Sequence, residues 1–358
     1  MKPTWKIVTI LLLCSILTYC QNSKNYFENG KKLQKKADSL RLYKVGNYSG
    51  LYEEALSNYN KEIETHQQNY DAYYFAGETS KIIERLKNMQ APNPEPTYSY
   101  YLKLYQIIIQ NPTKQISSEF PNRAILIELS SLFYRSDLQK SIFYLEEALK
   151  FPYHGKGMAY KDDELYKNLA IHCSDYGNDR KYINQFSTAY FYYGKSIDYY
   201  NKYFKTSKDK NIVHLWKSNF RSVSIDYNIC KFLANNPRWE PITFEDVQLG
   251  MNLGKKPFVD VGYLITYDPK TLKFSNNIIS AWVREINVDE SIKTKYYEVK
   301  YLLNFNLTTN KYQMSKFYAY NKNGNIIKSS ELENAKWESL VPDELYEIIF
   351  NFLKKIRR

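Results

Sequence analysis

The apolar period changes once along this chain, and that change limits its fold more than any other feature of the sequence. From about residue 28 to 235, apolar and aromatic residues recur at helical spacing with breaks every 15 to 20 residues, the pattern of paired antiparallel helices. From 258 onward the runs Phe258 to Tyr267, Ile278 to Ile286, Lys295 to Asn306 and Lys311 to Asn321 are rich in β-branched and aromatic residues, as strands are. The spacing therefore predicts an α+β chain: an all-α domain over 28–235, a linker over 236–257 and a smaller antiparallel-sheet domain over 258–358 closed by a C-terminal helix. With 358 residues, 44% hydrophobic and only 12 Gly and 12 Pro, there is apolar material for two cores, which excludes a disordered or collagen-like protein.

In the first half, Leu51 to Ala55, Tyr59 and Ile63 mark one helix, and Tyr73, Ala76, Gly77 and Ser80 the next. Ile125, Leu129 and Leu132, followed by Ser141, Leu145, Ala148 and Pro152, repeat the arrangement. These residues resemble the tetratricopeptide repeat, which places small residues where its two helices cross; Ala55, Ser141 and Ala148 would fill that role, and Pro152 would end the second unit. Ala55 and Ser141 lie 86 residues apart, not a multiple of the roughly 34-residue repeat, so an ideal solenoid is excluded. Three prolines between Ala91 and Pro96 break the array. Helices are expected over 162–176, 180–205 and 211–234, the first opened by Asp162-Asp163-Glu164 against the helix dipole. The chain holds 36 Tyr. Those at Tyr190, Tyr192, Tyr193, Tyr199, Tyr200 and Tyr203 read either as core bodies or as a peptide-binding face.

In the second half, Tyr297, Val299, Tyr301, Leu303 and Phe305 alternate with Glu298, Lys300 and Asn304, so one side of that strand should meet a core. Asn323-Gly324 marks a hairpin, and Leu345, Ile348, Ile349, Phe352 and Ile356 form one stripe of a final helix that starts near Pro342. Tyr267-Asp268-Pro269, Ala281-Trp282-Val283, Tyr320 with Asn323-Gly324, Ser329, Trp337-Glu338-Ser339 and Val341-Pro342 resemble the surface-adhesin protein E family over roughly 258–356. The resemblance implies a sheet closed by a helix, and a lipoprotein that binds host matrix or plasma proteins. The disulfide usual in that family is absent, because no cysteine follows Cys230.

Met1 to Cys20 has a basic start (Lys2, Lys6), an apolar run from Ile7 to Leu17 and the ending Leu17-Thr18-Tyr19-Cys20. The run is shorter than the roughly 20 residues of a membrane span and has the order of a signal peptide. Its ending resembles a bacterial lipobox, with Tyr19 where Gly, Ala or Ser is usual; the resemblance implies cleavage before Cys20 and a lipid on its thiol. An ordinary secretory signal is the alternative. Gln21, where Asp would imply inner-membrane retention, implies an outer-membrane lipoprotein. Removal of residues 1–19 takes Lys2 and Lys6 and leaves +10 of the net charge of +12. For an exported chain that charge points to anionic lipid, polysaccharide or matrix, not to nucleic acid.

Catalytic patterns are missing. No Gly-x-Ser-x-Gly, His-Glu-x-x-His or Cys-x-x-Cys occurs, and His66, His154, His172 and His214 stand singly. Gly250 to Lys256 falls short of a phosphate loop in glycine spacing, in lacking Ser or Thr after the lysine, and in preceding strand-like sequence. The adjacent His172-Cys173 cannot form a dyad by itself, since helical neighbours point about 100° apart. After processing, Cys173 and Cys230 remain; on antiparallel helices they would sit roughly 5 Å and roughly 10 Å below one end, which leaves a disulfide and two buried thiols as alternatives. The expectation is a non-enzyme without cofactor or metal, held to the membrane by a lipid. Its partner would be a host matrix or plasma protein or, for a periplasmic scaffold, an envelope assembly protein. Metabolic labelling with a fatty acid is expected to mark the mature protein and to fail in Cys20→Ala; label retained in that variant would remove Cys20 as the anchor.

Overall fold

The computed structural model describes residues 26–87, 95–112, 115–117, 120–153, 161–248, 251–257, 259–260, 262–332, 335–342 and 344–356. The lipobox residues up to Cys20 lie outside this range, as does His154. The chain forms two compact units, residues 1–169 and 170–358.

The first unit is helical. Residues 26–43 form α1, followed by α2 (Tyr48–Thr65), α3 (Tyr70–Lys87), α4 (Glu95–Gln110), α5 (Asn122–Phe133) and α6 (Leu138–Ala148). Side-chain caps set two of the starts: Asn47 accepts the Gly50 N–H before α2, and Asp137 accepts that of Lys140 before α6. Consecutive helices from α2 to α6 pack on one another. Small residues stand at the crossings. Ser141 is fully buried, with its hydroxyl 2.8 Å from both the hydroxyl and the carbonyl of Ser130, and Ala55, Ala76 and Ala148 are fully buried too.

Tyrosine rings fill the space those crossings leave. A Cβ on Gly30 would lie 2.6 Å from the Tyr59 ring, and one on Gly77 would lie 2.7 Å from that of Tyr101. Each hydroxyl is bonded: Tyr59 donates to Gln34 at 2.8 Å, and Tyr101 donates to Glu78. Glu78 in turn shares Lys81, at 2.9 Å, with Glu128 at 2.6 Å, which joins α3 to α5.

The second unit opens with the rest of α7 (Asp162–Tyr182), then α8 (Phe186–Thr206) and α9 (Lys210–Asn235). The helix break expected near Gly177 falls instead at Ile183 to Gln185, where Asn184 has φ 60°. Gly177 is retained for packing, because a Cβ there would lie 2.9 Å from the Tyr193 ring, whose hydroxyl donates to Asn178 at 2.7 Å.

Short strands follow: β1 (Glu240–Pro241), β2 (Thr243–Gln248), β3 (Met251–Pro257), β4 (Val259–Asp260), β5 (Tyr263–Tyr267), β6 (Lys273–Ser275), β7 (Ile278–Asn287), β8 (Glu298–Asn306), β9 (Lys311–Tyr320), β10 (Ile326–Glu331) and β11 (Glu338–Ser339). The antiparallel sheet runs β1-β5-β7-β8-β9-β10; β4, β6 and β11 add to β5, β7 and β9, while β2 pairs with β3 alone. Segment 236–257, expected as a linker, thus carries β1 and the β2–β3 hairpin. Pro241 and Pro257 fall at strand ends, where the missing N–H is tolerated, and Pro237 lies in the turn before β1.

One face of the sheet meets α10 (Leu345–Ile356). Val299, Tyr301, Leu303 and Phe305 are buried there with Ile349, Phe350 and Leu353. The helix therefore seats a stripe rotated from the expected one, and Ile356 is exposed. At one end of the other face, Ile229, Phe232 and Leu233 of α9 pack with Leu264, Ile286 and Val288, and Tyr297 joins them. Arg221 meets the buried Asp289 at 2.6 Å, and Asn228 donates to the Val288 carbonyl. Period changes near residue 236, but packing is continuous across it, which places α8 and α9 with the sheet.

Replacing a helical Gly by Ala ordinarily gains up to about 1 kcal/mol. At Gly177 the added carbon would press on a fully buried ring, and such overpacking costs roughly 1–3 kcal/mol. At Gly194 the nearest ring atom, on Tyr227, stands at 3.4 Å. Urea unfolding should show Gly177→Ala destabilised by about 1–2 kcal/mol and Gly194→Ala unchanged or slightly stabilised; equal shifts would contradict the packing account.

Candidate functional site

In the helical unit, α1 and α3 enclose an open cleft of about 380 Å³ lined by Glu28, Lys31, Lys32, Gln34, Lys35, Asp38 and Phe75. Helical spacing builds it: Phe27, Lys31 and Lys35 succeed one another at i, i+4 and i+8 on α1. The Lys31 ammonium stands 5.3 Å from the Phe27 ring and 5.6 Å from that of Phe75, within cation–π range. Two of the polar walls are already engaged from below. Gln34 accepts from Tyr59 at 2.8 Å and from Thr79 at 3.2 Å, and Asp38 accepts from Tyr52 at 2.5 Å. Lys32 and Lys35 are exposed. The cleft thus offers an aromatic wall and ammonium groups, which suit an acidic segment carrying an apolar side chain. Phe27 and Lys31 stand four residues apart on α1, but the second aromatic wall, Phe75, comes from a separate helix, α3.

The sequence-predicted residues are dispersed. Cys20 lies outside the described residues. Cys173 and Cys230 are buried on α7 and α9, with no disulfide between them. Burial pushes the Cys230 thiol up to about 12, the nearby Lys181 ammonium opposing the shift and Asp226 adding to it. Burial lowers His172 to about 4, which keeps the imidazole neutral. His66 lies 3.5 Å from the buried Glu62, and His214 is exposed on α9. Asp162, Asp163 and Glu164 occupy the first turn of α7, where Asp162 meets the buried Arg123 at 2.7 Å and Glu164 meets Lys167. Met251 to Lys256 of the rejected phosphate loop form strand β3 and do not open a helix. Among the described residues no group of three or more His, Cys, Asp or Glu could hold a metal, and no helix is long and apolar enough to cross a membrane.

Tyr193, Tyr200 and Tyr203 are core residues, while Tyr190, Tyr192 and Tyr199 are half-buried along the same helix. Tyr190 and Tyr227 face each other with ring centroids 4.8 Å apart and hydroxyls at 3.3 Å. Tyr200 is pushed up to about 12 by burial.

No family model matches the chain, and no curated protein does. Among solved structures, a crystal structure of MamA protein aligns at 15% identity over 60% of this chain and 94% of that one, with a TM-score of 0.30. A superposition that loose transfers neither fold nor function.

The thiolate is the reacting form of cysteine, and a raised folded-state value keeps Cys230 protonated through the usual alkylation range. Native protein at pH 8 should therefore resist iodoacetamide at Cys230, and denatured, unreduced protein should take it up at both Cys173 and Cys230. Failure of both to react after unfolding would establish a bond between them.

Proposed function

We propose that the chain is a non-catalytic, lipid-anchored outer-membrane protein of a bacterial envelope that acts at the cell surface by binding another macromolecule, as an adhesin does. The observation that carries this reading is the signal-like apolar run that stops at Cys20. It is supported by a sheet unit closed by α10, in keeping with the resemblance to surface-adhesin protein E, and by the chemistry of the buried groups. A protonated Cys230 and a neutral, half-buried His172 are poised for packing, not for nucleophilic attack. Host matrix or plasma proteins are the partners this reading implies.

A second reading is favoured by the α1–α3 cleft. Its lysines and Phe75 suit a peptide partner, as a periplasmic scaffold for envelope assembly would require. Topology separates the two. Protease added to intact cells should remove this chain along with known surface proteins while sparing a periplasmic control. Complete protection under those conditions would overturn the adhesin reading and leave the scaffold.

A further inference from the structure

The turn between α1 and α2 is built from large apolar residues that face water. Leu42 is 77% exposed, Tyr43 74% and Val45 56%, and the first two are the most exposed large hydrophobics among the described residues. The apolar clusters that join α1 to α2 and α3 leave all three out. Among the described residues Tyr43 makes no ring contact and no side-chain hydrogen bond. The turn is nonetheless fixed in shape. The Val45 N–H donates to the Leu40 carbonyl at 3.0 Å and the Lys44 N–H to that of Arg41 at 3.1 Å, the paired bonds of a Schellman ending. Lys44 has φ 54°, at the left-handed position where glycine is the ordinary choice. A lysine there costs backbone energy, and among the described residues it has no ion pair to offset that cost.

Cations continue from the turn along α1. At about 100° per residue, Lys32, Lys35, Lys36, Ser39, Leu42 and Tyr43 fall within about 120° of one another on one side of the helix, and all six are exposed. Like Lys44, the three lysines of this side form no ion pair among the described residues. Asp38 is turned away from it, where it accepts from Tyr52 and lies 3.8 Å from Arg41. Glu28, one turn before Lys32, is the acid on this side. From Lys32 to Lys44 the surface therefore carries unmatched positive charge leading to an apolar tip.

We infer that the α1–α2 turn is a membrane contact: Leu42, Tyr43 and Val45 enter the interface of an anionic phospholipid bilayer while Lys32, Lys35, Lys36 and Lys44 meet its head groups. The apolar residues protrude from a helix end, so a protein partner would have to supply a matching cavity, whereas a fluid bilayer closes around them. The chemistry has the order of a bilayer interface, in which hydrocarbon lies beneath an anionic surface. Aliphatic side chains suit the first layer, tyrosine suits head-group level, and lysine stems reach the phosphates. A nucleic acid would use the lysines but leave Leu42 and Val45 in water. The tip also stands outside the α1–α3 cleft, although Lys32 and Lys35 line both. The inference deepens the proposed function and rests on it in one respect: an anchor at Cys20 would hold α1, which begins at residue 26, beside the bilayer.

The test uses the unacylated chain from Gln21 onward, which keeps every described residue and omits the apolar run Ile7 to Leu17 that would itself enter lipid. Its sedimentation with mixed phosphatidylglycerol and phosphatidylcholine vesicles is compared with that on phosphatidylcholine alone. Expected are binding to the anionic vesicles that weakens with salt and a loss of about tenfold or more when Leu42→Ser and Tyr43→Ser are combined. Each of Lys32→Gln, Lys35→Gln and Lys36→Gln should cost about fivefold. Lys44→Gly should bind less tightly yet melt at the same temperature or higher, since glycine suits the left-handed position; a lysine kept only for the fold would leave binding unchanged. The other variants, all at exposed positions, should melt near the wild type, and if the double variant unfolds, the lysine variants and Lys44→Gly decide. No binding, equal binding to both kinds of vesicle, or wild-type binding in the double variant would each overturn the contact. Because no acyl chain is present, such a failure leaves the anchor at Cys20 to its own labelling test.

Discussion

The fold depends on a buried tyrosine that does two jobs: its ring fills a helix or sheet crossing, and its hydroxyl ends on a polar side chain. Tyr52, Tyr59, Tyr101 and Tyr193 are fully buried, and their hydroxyls reach Asp38, Gln34, Glu78 and Asn178. The sheet uses the same device, with Tyr267 on Glu240 and Tyr301 on Glu285, and the half-buried Tyr312 likewise donates to Glu338. A buried hydroxyl left without a partner costs roughly 1–3 kcal/mol, comparable to what burying a large side chain contributes. Tyrosine is useful in a core only where that partner is supplied. Burial holds these phenols neutral: Tyr200 and Tyr346 rise to about 12, and Tyr52, Tyr59 and Tyr193 rise further in the same direction. The hydroxyl therefore remains a donor, and a neighbouring carboxylate can accept from it without repulsion.

That device explains which parts of the fold were legible in the sequence. Apolar period gave α2, α3, α5 and α6 of the first unit and the inward set Val299, Tyr301, Leu303 and Phe305, because period depends only on which side of an element is wet. Asn323-Gly324 marked the hairpin correctly, although the turn is closed by the Gly324 N–H on Asn321 with Gly324 alone at φ 79°. Partners across a crossing leave no such trace. Gly177 looks like a helix stop in the sequence and becomes a packing position only when Tyr193 is laid over it. Near residue 236 composition reports the change from helix to strand, while Ile229, Phe232 and Leu233 pack across it on Leu264 and Ile286. Of the cleft, Lys31 and Lys35 were visible as charge, and Phe75 was not visible as their neighbour.

Ion pairs in the second unit work alongside this packing. Asp268 is 1% exposed and meets Arg238, which follows α9; Asp289 meets Arg221 of α9 itself; Arg284 meets Glu298 at 2.7 Å and lies 4.3 Å from the Phe232 ring. A carboxylate this buried is tolerable only when paired, and removing its partner is strongly destabilising. These arginines draw α9 to one end of the sheet. They do so at positions beside β5 and the end of β7, and so leave the middle of the outer face without a helix from this set.

A sheet buried on one side places different demands on its two sets of residues. The inward set on β8 must be apolar and match α10, and it does. The outward set needs only to tolerate water and to keep β-propensity, which Thr and the amphipathic Tyr and Trp all satisfy. Trp282 and Tyr318 bring their rings together over β8 without joining either apolar cluster of the sheet. Cross-strand aromatic contact contributes about 0.2–1 kcal/mol, a small part of what the inward face supplies. The inward aromatics are thus held by α10, and the outward pair by its own ring contact and by the Tyr318 hydroxyl, which donates to Glu331 at 2.6 Å.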